Sequence, residues 1–132
     1  MELTTIKNSI HEIRGKNVML DMDLAKLYEV ETKALKQAVR RNIDRFPEDF
    51  MFQLTKEEWI ALRSQSVTLE RGKGNHPKYL PFAFTEQGVA MLSAILNSQR
   101  AIQASIQIMR AFVIIRQWAF THQELSEKLT AL

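Results

Sequence analysis

Basic side chains are concentrated in one short stretch of this 132-residue chain, between Thr32 and Arg45. Lysine and arginine donate hydrogen bonds to phosphates and to base edges, so such a cluster indicates a polyanionic partner. Asp44 is the one acid of the stretch, which leaves it a charge of +4. Because the whole chain carries +3, the remainder carries −1. The alternative is the solvated face of an amphipathic helix. The basic residues are Lys33, Lys36, Arg40, Arg41 and Arg45.

Two short helices with a tight turn between them must position this cluster. Asp21 and Asp23 are candidate N-caps ahead of a first helix, and Thr32 begins a second one after a break at Glu29–Glu31. The apolar residues of both helices fall at helical spacing: Leu24, Leu27 and Tyr28 in the first, and Leu35, Ala38, Val39 and Ile43 in the second. The stretch from Asp21 to Arg45 therefore predicts a helix-turn-helix, whose second helix presents its basic face to the major groove.

The geometry of such a helix divides its residues into two roles. Residues early in a recognition helix reach base edges, while flanking basic residues hold phosphates. Lysine can donate to guanine, and glutamine can pair with adenine through two hydrogen bonds. We expect base-edge contacts from Thr32, Lys33, Lys36 and Gln37. We expect phosphate contacts from Arg40, Arg41 and Arg45, with Arg71 and Lys73 as secondary contacts.

The segment Ser64–Lys78, which contains Arg71 and Lys73, is the loosest part of the sequence. It is rich in turn-forming glycine, asparagine and proline, and it is basic. It predicts either an arm that touches phosphate or the minor groove, or a solvated hairpin loop.

Short strands are predicted around the helix pair. Ile10–Ile13 and Val18–Leu20 flank a turn and predict a β-hairpin. Phe50–Leu54 and Tyr79–Phe84 predict two more strands that pair with each other. Pro81 places the second of these at a sheet edge or at a bulge, because proline cannot donate to a β-ladder.

Further helices follow from capping residues. Thr55 and Glu58 form a capping box that begins a helix after the third strand. Thr85 is the N-cap of another helix, within which Gly88 allows a close backbone contact. From Gln99 to its end the chain is predicted to be helical nearly throughout.

This last helix carries two apolar stripes. A helix that is apolar on two sides can pack on its own domain and still face a partner, so we expect a homodimer contact through it. The alternative is a single broad intramolecular core face. The pattern stops abruptly at Leu132, so we expect a longer natural protein. One stripe is Ile108, Phe112, Ile115, Ala119, His122, Leu125, Leu129 and Leu132, and the other is Ile102, Ile106, Met109 and Val113.

Composition limits the class of protein. A hydrophobic fraction of 45% and a charged fraction of 25% are typical of globular domains and not of disordered chains. The chain has no cysteine, its N-terminus lacks the features of a signal peptide, and its most apolar segment is too short to cross a bilayer. We therefore expect a soluble, cytoplasmic protein without a membrane partner.

Catalysis is not expected. The three histidines, His11, His76 and His122, are scattered without metal-ligand spacing. The acids Glu57 and Glu58 fall in the first turn of a helix, where negative charge suits the helix dipole. The sequence predicts neither an enzyme nor a metal or cofactor site.

Several segments together resemble a known family, the phage and prophage ORF-six N-terminal domain of the KilA-N/Bro-N group. They are IRGKNVMLDMDLAKLYEVETKALKQAVRRN (Ile13–Asn42), RFPEDFMFQLTKEEW (Arg45–Trp59), YLPFAFTEQGVAMLSAILNS (Tyr79–Ser98) and IQIMRAFV (Ile106–Val113). The resemblance implies a small α+β DNA-binding domain of the kind found in phage antirepressors and regulators. In this chain Glu29 stands in the turn where the family favours glycine.

These observations lead to one reading of the chain. We expect an α+β fold in which a helix-turn-helix and small antiparallel β elements precede a C-terminal helical segment ending in a long helix. Residues 1–113 form the DNA-binding domain, and residues 114–132 form a helical extension that dimerises. The expected function is sequence-specific binding of double-stranded DNA by a transcriptional regulator or antirepressor. The alternative is a protein-interaction module that sequesters another regulator through its C-terminal helix.

Overall fold

A computed structural model describes residues 3–65 and 79–131 of the chain, with the backbone alone at 122–124 and 131. It shows an α+β fold in which helices pack on both faces of a four-stranded antiparallel sheet. In chain order the elements are α1 (Leu3–Asn8), β1 (Ile10–Ile13), β2 (Lys16–Leu20), α2 (Asp21–Tyr28), α3 (Thr32–Arg41), a 3-10 turn (Ile43–Arg45), β3 (Met51–Gln53), α4 (Lys56–Gln65), β4 (Phe82–Phe84), α5 (Glu86–Leu96) and α6 (Gln99–Ala131).

The strand order in the sheet is β1-β2-β4-β3, and every neighbouring pair is antiparallel. The predicted hairpin and the predicted pairing of the last two strands are both confirmed. The expectation for Pro81 is wrong, because β4 lies inside the sheet rather than at its edge. Pro81 comes just before the first ladder residue, Phe82, so its missing N–H costs no ladder bond. Its carbonyl accepts a hydrogen bond from Leu54 N at 3.0 Å.

The hairpin turn is held by an arginine. Arg14 and Gly15 both have positive φ, 55° and 72°, as a two-residue turn of this handedness requires. Arg14 donates to both carboxylate oxygens of Glu58 at 2.8 and 2.9 Å, and its guanidinium lies 4.2 Å from the ring centroid of Phe52. The predicted capping box is confirmed, since Glu58 accepts from Thr55 N at 2.8 Å. Arg14 and this backbone N–H lower the pKa of Glu58 to about 2.

Alternation along the strands divides the core between the two faces of the sheet. Val18 and Leu20 of β2 point towards α4, where they pack with Trp59 and Leu62. Met19, between them, joins the larger core on the opposite face. The helices that contribute buried side chains to this larger core are α1, α2, α3, α5 and α6.

The start of α5 is fixed against the sheet, as predicted. Thr85 Oγ1 accepts a hydrogen bond from Gly88 N at 3.3 Å, and Thr85 N donates to Phe50 O at 3.0 Å. A Cβ at position 88 would lie 1.9 Å from that same carbonyl oxygen. Only glycine fits this approach, so α5 docks through a residue without a side chain.

The long helix α6 begins after Asn97, which ends α5 in the left-handed region at φ 42°. One face of its first half belongs to the core, and Ile102 and Ile106 on the other face are exposed. Residues 116–121 and 125–130 are all exposed. A single intramolecular core face therefore does not account for both stripes. The core residues of α6 are Ala101, Ala104, Ile108, Ala111 and Phe112.

Candidate nucleic-acid interface

The helix pair α2–α3 is joined by a turn of three residues, Glu29 to Glu31. Glu29 adopts the left-handed conformation (φ 57°, ψ 43°) that ends α2, and its N–H donates to the carbonyl of Lys26 at 3.2 Å. Val30 N donates to Ala25 O at 3.0 Å, and Glu31 is the extended residue before α3. The turn that most helices make with glycine is made here by a glutamate.

Side chains of the long helix α6 contact this turn and the end of α2. Arg100 Nε donates to the carbonyl of Leu27 at 3.0 Å, and another guanidinium nitrogen lies 3.4 Å from the Glu29 carboxylate. The hydroxyls of Tyr28 and Ser105 are hydrogen-bonded at 3.0 Å, and burial raises the pKa of Tyr28 to about 12. The end of α2 is therefore fixed relative to α6 by both backbone and side-chain contacts.

Helix α3 packs one face against the core and exposes the other to solvent. Leu35 and Val39 are fully buried in the larger core. Lys33, Gln37 and Arg40 lie on the opposite side and are exposed, because residues three or four apart share one face of a helix.

Arg41 is exposed beside this face, Thr32 is half-buried at the helix start, and Arg45 is exposed in the following 3-10 turn. Within residues 3–65 and 79–131, Lys33, Arg40, Arg41 and Arg45 form no ion pair. We call the exposed set Lys33, Gln37, Arg40, Arg41 and Arg45 the basic face.

Lys36 does not lie on the basic face. Only 9% of it is exposed, and its ammonium is 3.3 Å from a carboxylate oxygen of Asp21, which is 1% exposed. The ammonium also lies 5.1 Å from the ring centroid of Phe82. The expectation that Lys36 points to solvent needs this correction, because its position borders the side of the helix that carries Val39.

Asp21 is the centre of this buried contact. Its carboxylate accepts hydrogen bonds from Met22 N at 2.7 Å and from Phe82 N at 3.0 Å, in addition to the ion pair with Lys36. It thus connects the start of α2, the middle of α3 and the first residue of β4. No pattern in the sequence indicates this role, because the three partners are far apart along the chain.

Ionisable groups also occur away from the basic face in the part of the chain that the structure describes. No group of three or more histidine, aspartate or glutamate residues is placed there to hold a metal ion. Burial raises the pKa of Asp23 to about 6, and burial lowers the pKa of His11 on the edge strand β1. Arg71 and Lys73 lie outside the described residues.

The model of the ORF6N domain matches residues 8–95, two thirds of the chain. The chain belongs to the ORF6N domain family. This is a family associated with phages and prophages, and it is not a family of enzymes. No curated protein and no solved structure matches the chain.

The ORF6N match includes every residue of the α2–α3 pair and ends before α6 begins. The core of the fold nevertheless extends to Phe112, since α6 buries five of its residues there. The domain boundary expected at residue 113 stays a prediction. Among the described residues, no helix is long and apolar enough to cross a membrane.

Proposed function

We propose that this ORF6N domain binds double-stranded DNA in a sequence-specific way, with α3 in the major groove. The observation that carries the proposal is the basic face of α3 and the following turn. Four of these side chains lie on the exposed side of the second helix of a helix-turn-helix, and Arg45 lies in the 3-10 turn that follows it. None of the four cations among them forms an ion pair in the described part of the chain. Such a surface fits a polyanion.

The roles within α3 follow from position and chemistry. Thr32, Lys33 and Gln37 belong to the first two turns of the helix, so we assign them to base edges. Arg40, Arg41 and Arg45 come later and are assigned to phosphates. Lys36 is left out of the base-edge set, because reaching a base would break its contact with the buried Asp21. Arg71 and Lys73 remain candidates for secondary phosphate contacts and lie outside the described residues.

The first test is selection of bound sequences from a random pool of double-stranded DNA at physiological salt, followed by fluorescence anisotropy on the selected site. Affinity should fall steeply as salt rises, because phosphate contacts release counterions. Recovery of no motif, with weak binding that salt does not change, would instead favour the protein-interaction alternative.

Two variants separate base reading from phosphate binding. Gln37→Ala should reduce affinity for the selected site by roughly 1–3 kcal/mol and leave binding to random DNA nearly unchanged. Arg41→Ala should weaken both and flatten the salt dependence. Arg110→Ala is the matched control, since it removes one exposed cation from α6 instead. If Gln37→Ala and Arg41→Ala act alike on both kinds of DNA, the assigned roles are wrong.

A further inference from the structure

We propose that the C-terminal part of α6, residues 114–130, forms a parallel two-stranded coiled coil with a second copy of this chain. The orientation of the two strands rests on the proposed DNA binding, whereas the self-association does not. Two copies joined in this way would present two helix-turn-helix units to one DNA duplex.

The C-terminal part of α6 exposes several large apolar side chains to solvent. Leu125 and Leu129 are 56% and 65% exposed, and Trp118 and Phe120 are also largely exposed. Leu125 and Leu129 lie one turn apart on the same side of the helix, so their side chains form a continuous strip. A strip of this kind is usually covered by another helix.

The spacing of the strip matches a coiled coil. Ile115, Trp118, Leu125 and Leu129 alternate in steps of three and four residues, with the polar His122 as the remaining member of the series. This is the heptad pattern of the a and d positions, which keeps one seam facing a partner helix. The same alternation continues backwards to Ala111 and Ile108, which the domain's own core covers. The seam is thus buried within the domain in the first half of α6, whereas Trp118, Leu125 and Leu129 are largely exposed in the second half.

Charge favours a second copy as the occupant. Residues 114–131 contain two basic and two acidic residues, so the segment is neutral overall. The positions that flank the seam carry Ile114, Ala119, Thr121 and Ser126, and Lys128 is the one charged residue among them. Two copies can therefore approach without like charges facing each other along the seam.

The area of such a contact places it among the small interfaces, which are often transient. One tryptophan, two leucines and an isoleucine would bury roughly 500 Å² per copy, about 1,000 Å² in total. This is near the lower limit for a specific interface. We therefore expect a reversible dimer whose population rises with protein concentration. In the parallel orientation both DNA-binding units lie at the same end of the coiled coil, as binding to two half-sites of one duplex requires.

Sedimentation of the full chain without DNA tests the self-association. The apparent mass should rise with concentration from 15.3 kDa towards twice that value. The double variant Leu125→Glu/Leu129→Glu should weaken the association at least tenfold, with helix content and thermal stability unchanged. Phe120→Glu is the matched control, because it removes an exposed apolar residue that lies off the seam. A monomer at all concentrations would overturn the proposal and would leave another protein as the partner of this surface. A dimer that survives the double variant would show that Leu125 and Leu129 do not form the contact.

The orientation has its own test, because the chain contains no cysteine. In a parallel coiled coil, equal positions of the seam face each other, so Leu125→Cys should form a disulfide-linked dimer under mild oxidation. Phe120→Cys should not. Failure of Leu125→Cys to cross-link in a protein that still dimerises would overturn the parallel orientation. Neither the sedimentation nor the cross-linking experiment uses DNA. Their outcomes therefore do not depend on whether the proposed DNA binding is correct.

Discussion

Replacement of Lys36 by methionine should destabilise the domain strongly, although Lys36 belongs to a helix whose other cations are exposed. The variant keeps most of the aliphatic stem and removes the ammonium that lies 3.3 Å from Asp21. Removal of one partner of a buried ion pair costs roughly 3–5 kcal/mol, because the other charge stays buried without compensation. Asp21 would keep two backbone hydrogen bonds, at 2.7 and 3.0 Å, so we expect the lower end, about 3 kcal/mol.

Urea unfolding measures this loss, with the fluorescence of the buried Trp59 as the reporter. The midpoint should move to lower urea while the slope stays the same, since the surface exposed on unfolding does not change. Lys33→Met is the matched control on the basic face. It removes the same charge three residues away, and its effect should stay within about 0.5 kcal/mol.

A double-mutant cycle with Asp21→Asn assigns the loss to the pair. If the two side chains act together, the double variant should be more stable than the sum of the single effects predicts, by roughly 1–3 kcal/mol. Additive effects, or a Lys36→Met protein as stable as the Lys33→Met protein, would refute the reasoning. If the Lys36→Met protein were stable and had lost only its DNA sequence preference, Lys36 would instead be assigned to the residues that contact base edges.

Three further variants probe single contacts. The pKa of Glu58 is held at about 2, below the usual value of 4.5, so its ion pair with Arg14 stabilises the fold above pH 4.5 and is lost as the pH falls towards 2. Urea unfolding of Glu58→Gln should show lower stability at pH 7 and a weaker dependence of stability on acid pH, and an unchanged pH profile would contradict this. Gly88→Ala should lower the free energy of unfolding by about 3 kcal/mol or more in the same assay, because the new Cβ would meet the carbonyl oxygen of Phe50 at 1.9 Å. A urea midpoint close to that of the unchanged protein would contradict this close contact. Glu29→Gly should raise the stability by about 1 kcal/mol in thermal unfolding, because glycine adopts the left-handed conformation at this position without strain. A lower stability would mean that the ion pair of Glu29 with Arg100 contributes more than the strain costs.

Features that depend on neighbours in the sequence could be predicted from it. The capping box at Thr55 joins residues three apart, and the Thr85 cap on Gly88 does the same. The β1–β2 hairpin was predicted from a short turn between two strand-forming segments, although the turn itself is two residues long and β2 begins earlier than predicted, at Lys16. In each case the two partners are within a few residues, so propensity and spacing decide the structure.

Features that depend on distant partners could not be predicted. Lys36 borders the buried side of α3, and its orientation is decided by Asp21 and Phe82, which no local rule connects with it. Helix α1 is six residues long and shows no capping pattern; it is formed because Ile6 is buried in the larger core. Pro81 misled the prediction that its strand lies at a sheet edge or a bulge, since one residue of offset decides whether a proline interrupts a ladder.

The helix α6 connects the two surfaces that we propose to be functional. Near its start, Arg100 and Ser105 fix the end of α2 and the turn before α3. Further along, the same unbroken helix carries Leu125 and Leu129 on the proposed seam. Each residue of an α-helix turns the chain by about 100°. The number of residues between Arg100 and the seam therefore sets the angle between the basic face and the axis of the proposed dimer. Because no loop interrupts α6 between these points, the fold itself fixes that direction, and DNA does not have to impose it on binding.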